Sequence, residues 1–321
     1  MSLEAVTIFP KLAQTVPSPG AGDHTFMAIN APTEFDAAAL WLCQLPGMTA
    51  SLALDLVATS GSPVDVMRAP SSVLRGCGVA PALIAQVVAG PRQLPHVLVG
   101  LKAWQRLGIV PIPLVASSYP QRLRALPNPP LVIYLQGRWP LDQPLVYVAG
   151  HAALDEHGLA GWSTLSQLLQ PQVGFTAGDS QLTAGSVPPT LVGLSYGLML
   201  ARARLAADLM RRTAAGTTTL ISVSSPTAQP DPLAASGVTT ALVALSDAAV
   251  LLPAALPDAA AVLDAARVVN IPVFAFGAAA RTPLPNGVRR LRSGKSGLHT
   301  LRRLLGVHDL GSDAVQQERL F

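Results

Sequence analysis

Charge is scarce in this sequence: 12% of its residues are Asp, Glu, Lys or Arg, while 50% are hydrophobic. So much apolar surface over 321 residues builds a sizeable core, which excludes an intrinsically disordered chain. Cysteine is scarcer still, with Cys43 and Cys77 the two in the chain. Neither sits in a CxxC pair or a metal-ligand spacing. A disulfide scaffold and a zinc site are therefore excluded, and reduced, buried thiols are expected. Aromatic residues make up 5%, and Trp41, Trp104, Trp139 and Trp162 are scattered. They offer no base-stacking platform and read as core or interface anchors. Long apolar runs are missing too, despite a mean hydropathy of +0.41, so no membrane-spanning helix is expected. The N-terminus lacks the basic and apolar regions of a signal peptide, and a cytoplasmic location with no membrane partner is the expectation.

Acid is absent from a long segment near the C-terminus. From Ala265 to His308 there is no Asp or Glu, while Arg267, Arg281, Arg289, Arg290, Arg292, Lys295, Arg302 and Arg303 are positive. The whole chain is mildly basic, with Lys+Arg 22 against Asp+Glu 18. The segment reads either as a solvated basic tail or as a surface facing phosphate.

Residues 1–33 read as irregular, punctuated by Pro17, Pro19, Gly20, Gly22 and Pro32. Residues 34–110 read as a helical module: short helical patterns run from Glu34 to about Gly90, and a further helix is expected at about 94–107. The turn Leu45-Pro46-Gly47-Met48-Thr49 between two of them resembles a helix-hairpin-helix, whose backbone N–H groups can meet a phosphate; a compact packing module is the alternative. From Leu145 onward, apolar runs at 144–150, 216–223, 247–254 and 271–277 read as strands, together with 173–178 or 190–195. Helical patterns at 158–169, 196–214 and 258–269 fall between them. Near-continuous apolar strands alternating with helices imply an α/β fold, a doubly wound parallel sheet covered on both faces. Ligands in such folds sit beyond the carboxyl ends of the strands.

One short motif carries chemistry. Gly193-Leu194-Ser195-Tyr196-Gly197 spells G-x-S-x-G, the pattern of a nucleophile elbow, and Asp247 and His299 follow in the order a serine hydrolase uses. No HGGG-like oxyanion segment precedes it, and Asp247 also fits the opening of a strand whose entrance its side chain would cap. The cluster His151, Asp155, Glu156 and His157 could ligate a metal, but a spacing of six between the histidines matches no helical ligand pair. No metal, no cofactor and no catalytic residue is expected.

Residues 118–137, with Tyr119-Pro120, Leu123, Pro129-Pro130 and Tyr134 to Gly137, resemble the entry segment of the DprA/Smf family, DNA-processing protein A of bacterial transformation. The resemblance extends to Leu45-Pro46-Gly47 and Gly61-Ser62-Pro63 in the helical module. It continues through Tyr147–Gly150, Gly193–Leu198, Leu245–Ala254 and Ile271–Gly277, and covers roughly residues 38–306. It implies a Rossmann-type domain at 111–308 after the helical module, and a tail at 309–321. It also implies a non-catalytic protein that binds single-stranded DNA, meets a RecA-like recombinase or another protein subunit, and forms a homodimer. The pocket would be lined by Gly150, His151, Gly193, Ser195 and Gly197, with Ser195 as a small turn residue.

The family's charged pocket groups are largely missing. His151 stands where the family has arginine, Met199 where it has aspartate, Val238-Thr239-Thr240 where it has Arg-Asn-Arg, and Pro253 where it has glutamate. The stretch Gly178 to Pro189 looks like an insertion. Phosphate binding, if retained, is expected on Arg289, Arg290, Arg292, Lys295, Arg302 and Arg303, since loss of arginines removes charge-assisted contacts. Two other readings stay open: a structural or adaptor subunit that has lost DNA, and the serine hydrolase.

Overall fold

The computed structural model describes residues 31–150, 156–170, 172–179, 189–252, 255, 259–276, 283–292 and 295–307; the side chains of 156–159, 161 and 295 are outside that description. Thr33 opens α1 (Glu34–Gln44) with a capping box, accepting from the Asp36 N–H while the Asp36 carboxylate accepts from the Thr33 N–H at 2.8 Å. Thr49 caps α2 (Ala50–Ser60), and Ser62 caps α3 (Pro63–Arg68), which begins on a proline that has no N–H to waste. After α4 (Ser71–Gly76) comes α5 (Pro81–Arg106). Two helices expected on either side of Gly90 are therefore one, continuous through Pro91 and Pro95. Gly90 does not break it; a Cβ there would lie 2.7 Å from Met67 Sδ and 3.1 Å from Trp41 Nε1, so the glycine lets α5 lie close to its neighbours.

A nine-stranded sheet follows, in the order β1-β2-β6-β5-β4-β3-β7-β8-β9. Its members are β1 (Ile109–Pro113), β2 (Val132–Gln136), β3 (Leu145–Ala149), β4 (Gly174–Gly178), β5 (Leu191–Leu194), β6 (Thr219–Ser222), β7 (Ala248–Leu251), β8 (Val273–Phe276) and β9 (Val288–Leu291). β1 and β2 are antiparallel additions, and the remaining seven strands are parallel. The runs at 173–178 and 190–195 are both strands, paired side by side. Helices α6 (Gln121–Arg124), α7 (Glu156–Leu169), α8 (Ala201–Arg204), α9 (Ala207–Ala214), α10 (Pro232–Leu245), α11 (Ala259–Val268) and α12 (Lys295–Leu305) complete the fold. The single helix expected over 196–214 is broken: a 3-10 turn at Leu198–Leu200 leads into α8, and Leu205 is extended before α9 begins. Among the described residues no helix is long and apolar enough to cross a membrane.

Period-2 alternation along β3 feeds two layers. Val146 and Val148 join α7 and α12 through Trp162, Leu165, Leu169 and Leu301. Leu145, Tyr147 and Ala149 join α10 and α11, in a core that continues without a break into the N-terminal helices. Trp162 anchors its layer edge-on to Phe175 and Phe276, with ring centroids 5.7 Å away in both cases. The N-terminal helices are tied to the sheet at Tyr134, whose hydroxyl accepts from Gln44 Nε2 at 2.6 Å and whose ring meets the Trp104 edge at 5.9 Å. Of the two thiols, Cys43 is buried and pushed up to about 11 by that burial, while Cys77 is half-buried, against the expectation that both would be inside.

The chain has four tyrosines, Tyr119, Tyr134, Tyr147 and Tyr196, and burial raises all of them above the ordinary phenol value. A raised folded-state value means that stability is complete below the unfolded value near 10 and is lost above it. Each tyrosine that ionises only on unfolding steepens the loss by about 1.4 kcal/mol per pH unit. Above about pH 10, tyrosinate absorbance is expected to rise together with the collapse of far-UV circular dichroism. Ionisation of all four in a chain with native circular dichroism would contradict this burial.

Candidate functional site

Strand order reverses between β3 and β7, and in a parallel sheet the crevice beyond their carboxyl ends is the ligand position the topology provides. Gly150 ends β3 in the left-handed region, at φ 82°. A Cβ on it would lie 2.8 Å from the Ala255 N and 3.1 Å from the Leu252 O, so the backbone following β7 closes directly over it. His151, Pro253, Leu256 and Pro257 lie outside the described residues, as do most of the Gly178–Pro189 stretch and the side chains of the His151–His157 cluster.

The GLSYG turn at the end of β5 is also closed by the protein itself. A Cβ on Gly193 would meet Val238 Cγ1 at 2.3 Å and Leu242 Cδ1 at 2.7 Å, so this glycine admits α10 to the sheet. On Gly197 it would lie 2.2 Å from the Pro226 O. The loop between β6 and α10 then uses the turn's donors: Gly197 N–H donates to Ala228 O at 2.8 Å and Met199 N–H to Pro226 O at 2.9 Å. In return the Asp231 N–H donates to Ser195 O at 3.3 Å, and Ser222 Oγ donates to Tyr196 O at 2.8 Å. These backbone amides are the groups a glycine-rich turn would offer a phosphate, and they are already bonded. Beside them Arg204 lies over the Tyr196 ring, 5.3 Å from its centroid. Burial, helped by the negative Asp179, pushes the Tyr196 phenol up to about 12, far from any role as a base near neutral pH.

Where the resemblance implies arginines, α10 turns inward. Val238 is buried against Gly193, Thr239 hydrogen-bonds the buried Tyr147, and Thr240 Oγ1 donates to Ser236 O at 3.0 Å.

The serine hydrolase reading fails on placement. Ser195 follows the carboxyl end of β5, whereas Asp247 precedes the amino end of β7 in the same parallel sheet. Asp247 accepts from Leu145 N–H at 2.9 Å and from Arg122 at 2.7 Å, while Arg122 Nη1 also donates to Ser246 O at 2.9 Å. It is the strand-entrance cap that the alternative reading of its motif describes. His299 is exposed on α12, which packs against α7.

The basic candidates lie on the far sheet edge. β9 was not legible as a strand, and it divides them: Leu291 points into the α7–α12 layer and Val288 into the other. Arg289 therefore shares the Leu291 side and Arg290 the Val288 side, both exposed, with Arg292 exposed just beyond the strand. Arg303 is exposed on α12, and Lys295 begins that helix. Arg302, half-buried, donates from Nη2 to Leu168 O at 2.9 Å and so clasps α12 to the last turn of α7. Elsewhere, Arg211 pairs with Asp208 on α9 at 3.0 Å.

The fold is a Rossmann-like, doubly wound α/β sheet preceded by packed helices. It is similar to the crystal structure of DNA processing protein A (DprA) from Streptococcus pneumoniae, with a TM-score of 0.56 over 85% of this chain and 93% of that one, at 15% identity. A weaker likeness, TM-score 0.42 at 14% identity, is to DNA processing protein A from Helicobacter pylori, covering 66% of this chain and 95% of that one. No protein-family model matches the sequence, and a search of curated proteins returned no match. What is shared with the Streptococcus pneumoniae structure is the fold.

Replacing Gly197 with Ala is expected to cost about 3 kcal/mol in chemical denaturation, because backbone and not a movable side chain stands in the way. Ser195→Ala is expected to change stability by less than about 0.5 kcal/mol, and the wild type to resist fluorophosphonate labelling. Labelling that Ser195→Ala abolishes would restore the nucleophile.

Proposed function

We propose that this chain is a DprA-like, non-catalytic cytoplasmic protein that binds single-stranded DNA on its basic edge and presents it to a RecA-like recombinase. The observation that carries the reading is the pairing of a GLSYG turn covered by the protein's own backbone with an exposed cationic edge. The Gly197 and Met199 amides are bonded to the β6–α10 loop, and Arg289, Arg290, Arg292 and Arg303 are exposed in a segment without acid. Support also comes from fold likeness to DNA processing protein A, whose Helicobacter pylori form has a described single-stranded DNA binding mode. Cations on two sides of an edge strand suit a flexible single strand, which can wrap the edge as a rigid duplex cannot. Affinity gained this way comes largely from released counterions and falls with salt.

The same covered turn favours a second reading, a protein adaptor that keeps the fold without DNA. Fluorescence anisotropy of a labelled single-stranded oligonucleotide, titrated at several salt concentrations, separates the two. Binding should weaken linearly in log salt, and the Arg289/Arg290/Arg292 triple alanine variant should lose about 2 from the slope, at about 0.7 per phosphate contact. No binding at low salt would overturn the DNA reading and leave the adaptor.

A further inference from the structure

A second surface is built on α5. Its exposed positions Pro81, Ala85, Val88, Arg92, Pro95, Val99, Lys102 and Arg106 are spaced 4-3-4-3-4-3-4, the seam of a heptad repeat, over a helix of about 39 Å. Val99 is 69% exposed and Val88 46%, which a helix with nothing to cover would not need. The opposite face, with Leu83, Val87, Leu94, Val97, Leu101 and Trp104, is buried, so the seam is a separate, mixed apolar and basic stripe and not the core face. Every charge on the seam is positive, and none of its three cations forms an ion pair among the described residues. No acid lies anywhere between Asp65 and Asp142, a longer acid-free stretch than the one that ends the fold.

We propose that this seam of α5 docks an acidic amphipathic helix of a partner protein, whose apolar stripe covers Val88, Pro95 and Val99 and whose carboxylates meet Arg92, Lys102 and Arg106. A nucleic acid fits the seam poorly, because Pro95 and Val99 separate Arg92 from Lys102 and Arg106, and phosphate gains nothing from these apolar side chains. A second copy fits poorly as well, since two such seams face to face would bring Arg92 and Lys102 toward like charge. Small residues at Ala82, Ala85 and Ala89 let a partner helix approach closely, which favours helix over extended peptide.

The test uses the full chain and a labelled synthetic helix of about four heptads, with Leu at its a and d positions and Glu at e and g. Fluorescence anisotropy should show saturable binding, weakened by salt and absent for a scrambled peptide of the same composition. Val88→Ser/Val99→Ser and Arg92→Glu/Lys102→Glu should each weaken it at least about tenfold. All four positions are exposed, so these variants should fold, and they should leave single-stranded DNA binding at β9 unchanged; the two proposals thus fail independently. Equal binding of the scrambled peptide would overturn the proposal. So would loss of oligonucleotide binding in Arg92→Glu/Lys102→Glu, which would make the seam a nucleic-acid face. Dimerisation in sedimentation that Val88→Ser/Val99→Ser abolishes would assign the seam to a second copy and overturn it too.

Discussion

Burial of β3 on both faces is the constraint from which the rest follows. All five of its residues are buried, it pairs in parallel with β4 and β7, and alternate side chains enter the two layers that sandwich the sheet. A slip by one residue would exchange those layers, so the register is fixed. Asp247 fixes the start of the strand, bonding the Leu145 N–H through its carboxylate and the Leu145 O through its own N–H. Gly150 fixes its end, since only a residue without Cβ tolerates both the left-handed turn and the Ala255 backbone against it.

Closure of the crevice and exposure of charge are two sides of one arrangement. A Rossmann-type crevice binds anions when loop amides point into it unbonded and arginines stand nearby. Here the β6–α10 loop returns to the GLSYG turn and takes the Gly197 and Met199 amides, while Val238 on α10 packs inward. The cations stand instead at β9, around α12 and along α5, where they meet solvent. In the proposed reading, recognition belongs to surfaces and not to a pocket. One of these surfaces is an edge strand with arginines on both sides, and the other is a helix with a mixed apolar and basic seam.

The parts of this fold legible in the sequence are those where burial is uniform. β3, β7 and β8 read as continuous apolar runs because helices cover both of their faces. β1 escaped notice because Pro111 and Pro113 argue against a strand, yet an outermost strand tolerates proline and is blunted by it. β9 was hidden by its two exposed arginines. α10 was hidden by Val238, Thr239 and Thr240, β-branched residues with weak helix preference that are held helical by packing on Gly193. Of the candidate site, the glycines were visible but their purpose was not, because it depends on a loop some 30 residues downstream that sequence spacing cannot bring back. The α5 seam was hidden because Pro91 and Pro95 break up its pattern in sequence, though the helix runs through them.

The most direct measurement is hydrogen–deuterium exchange with and without a single-stranded oligonucleotide. Slowed exchange confined to residues 283–307 is the expected result, with the Gly193–Met199 turn and the 225–231 loop already slow and unaltered. Slowing of that turn and loop on adding DNA, with the β9 edge unchanged, would show that the crevice opens to ligand and would contradict a closed pocket.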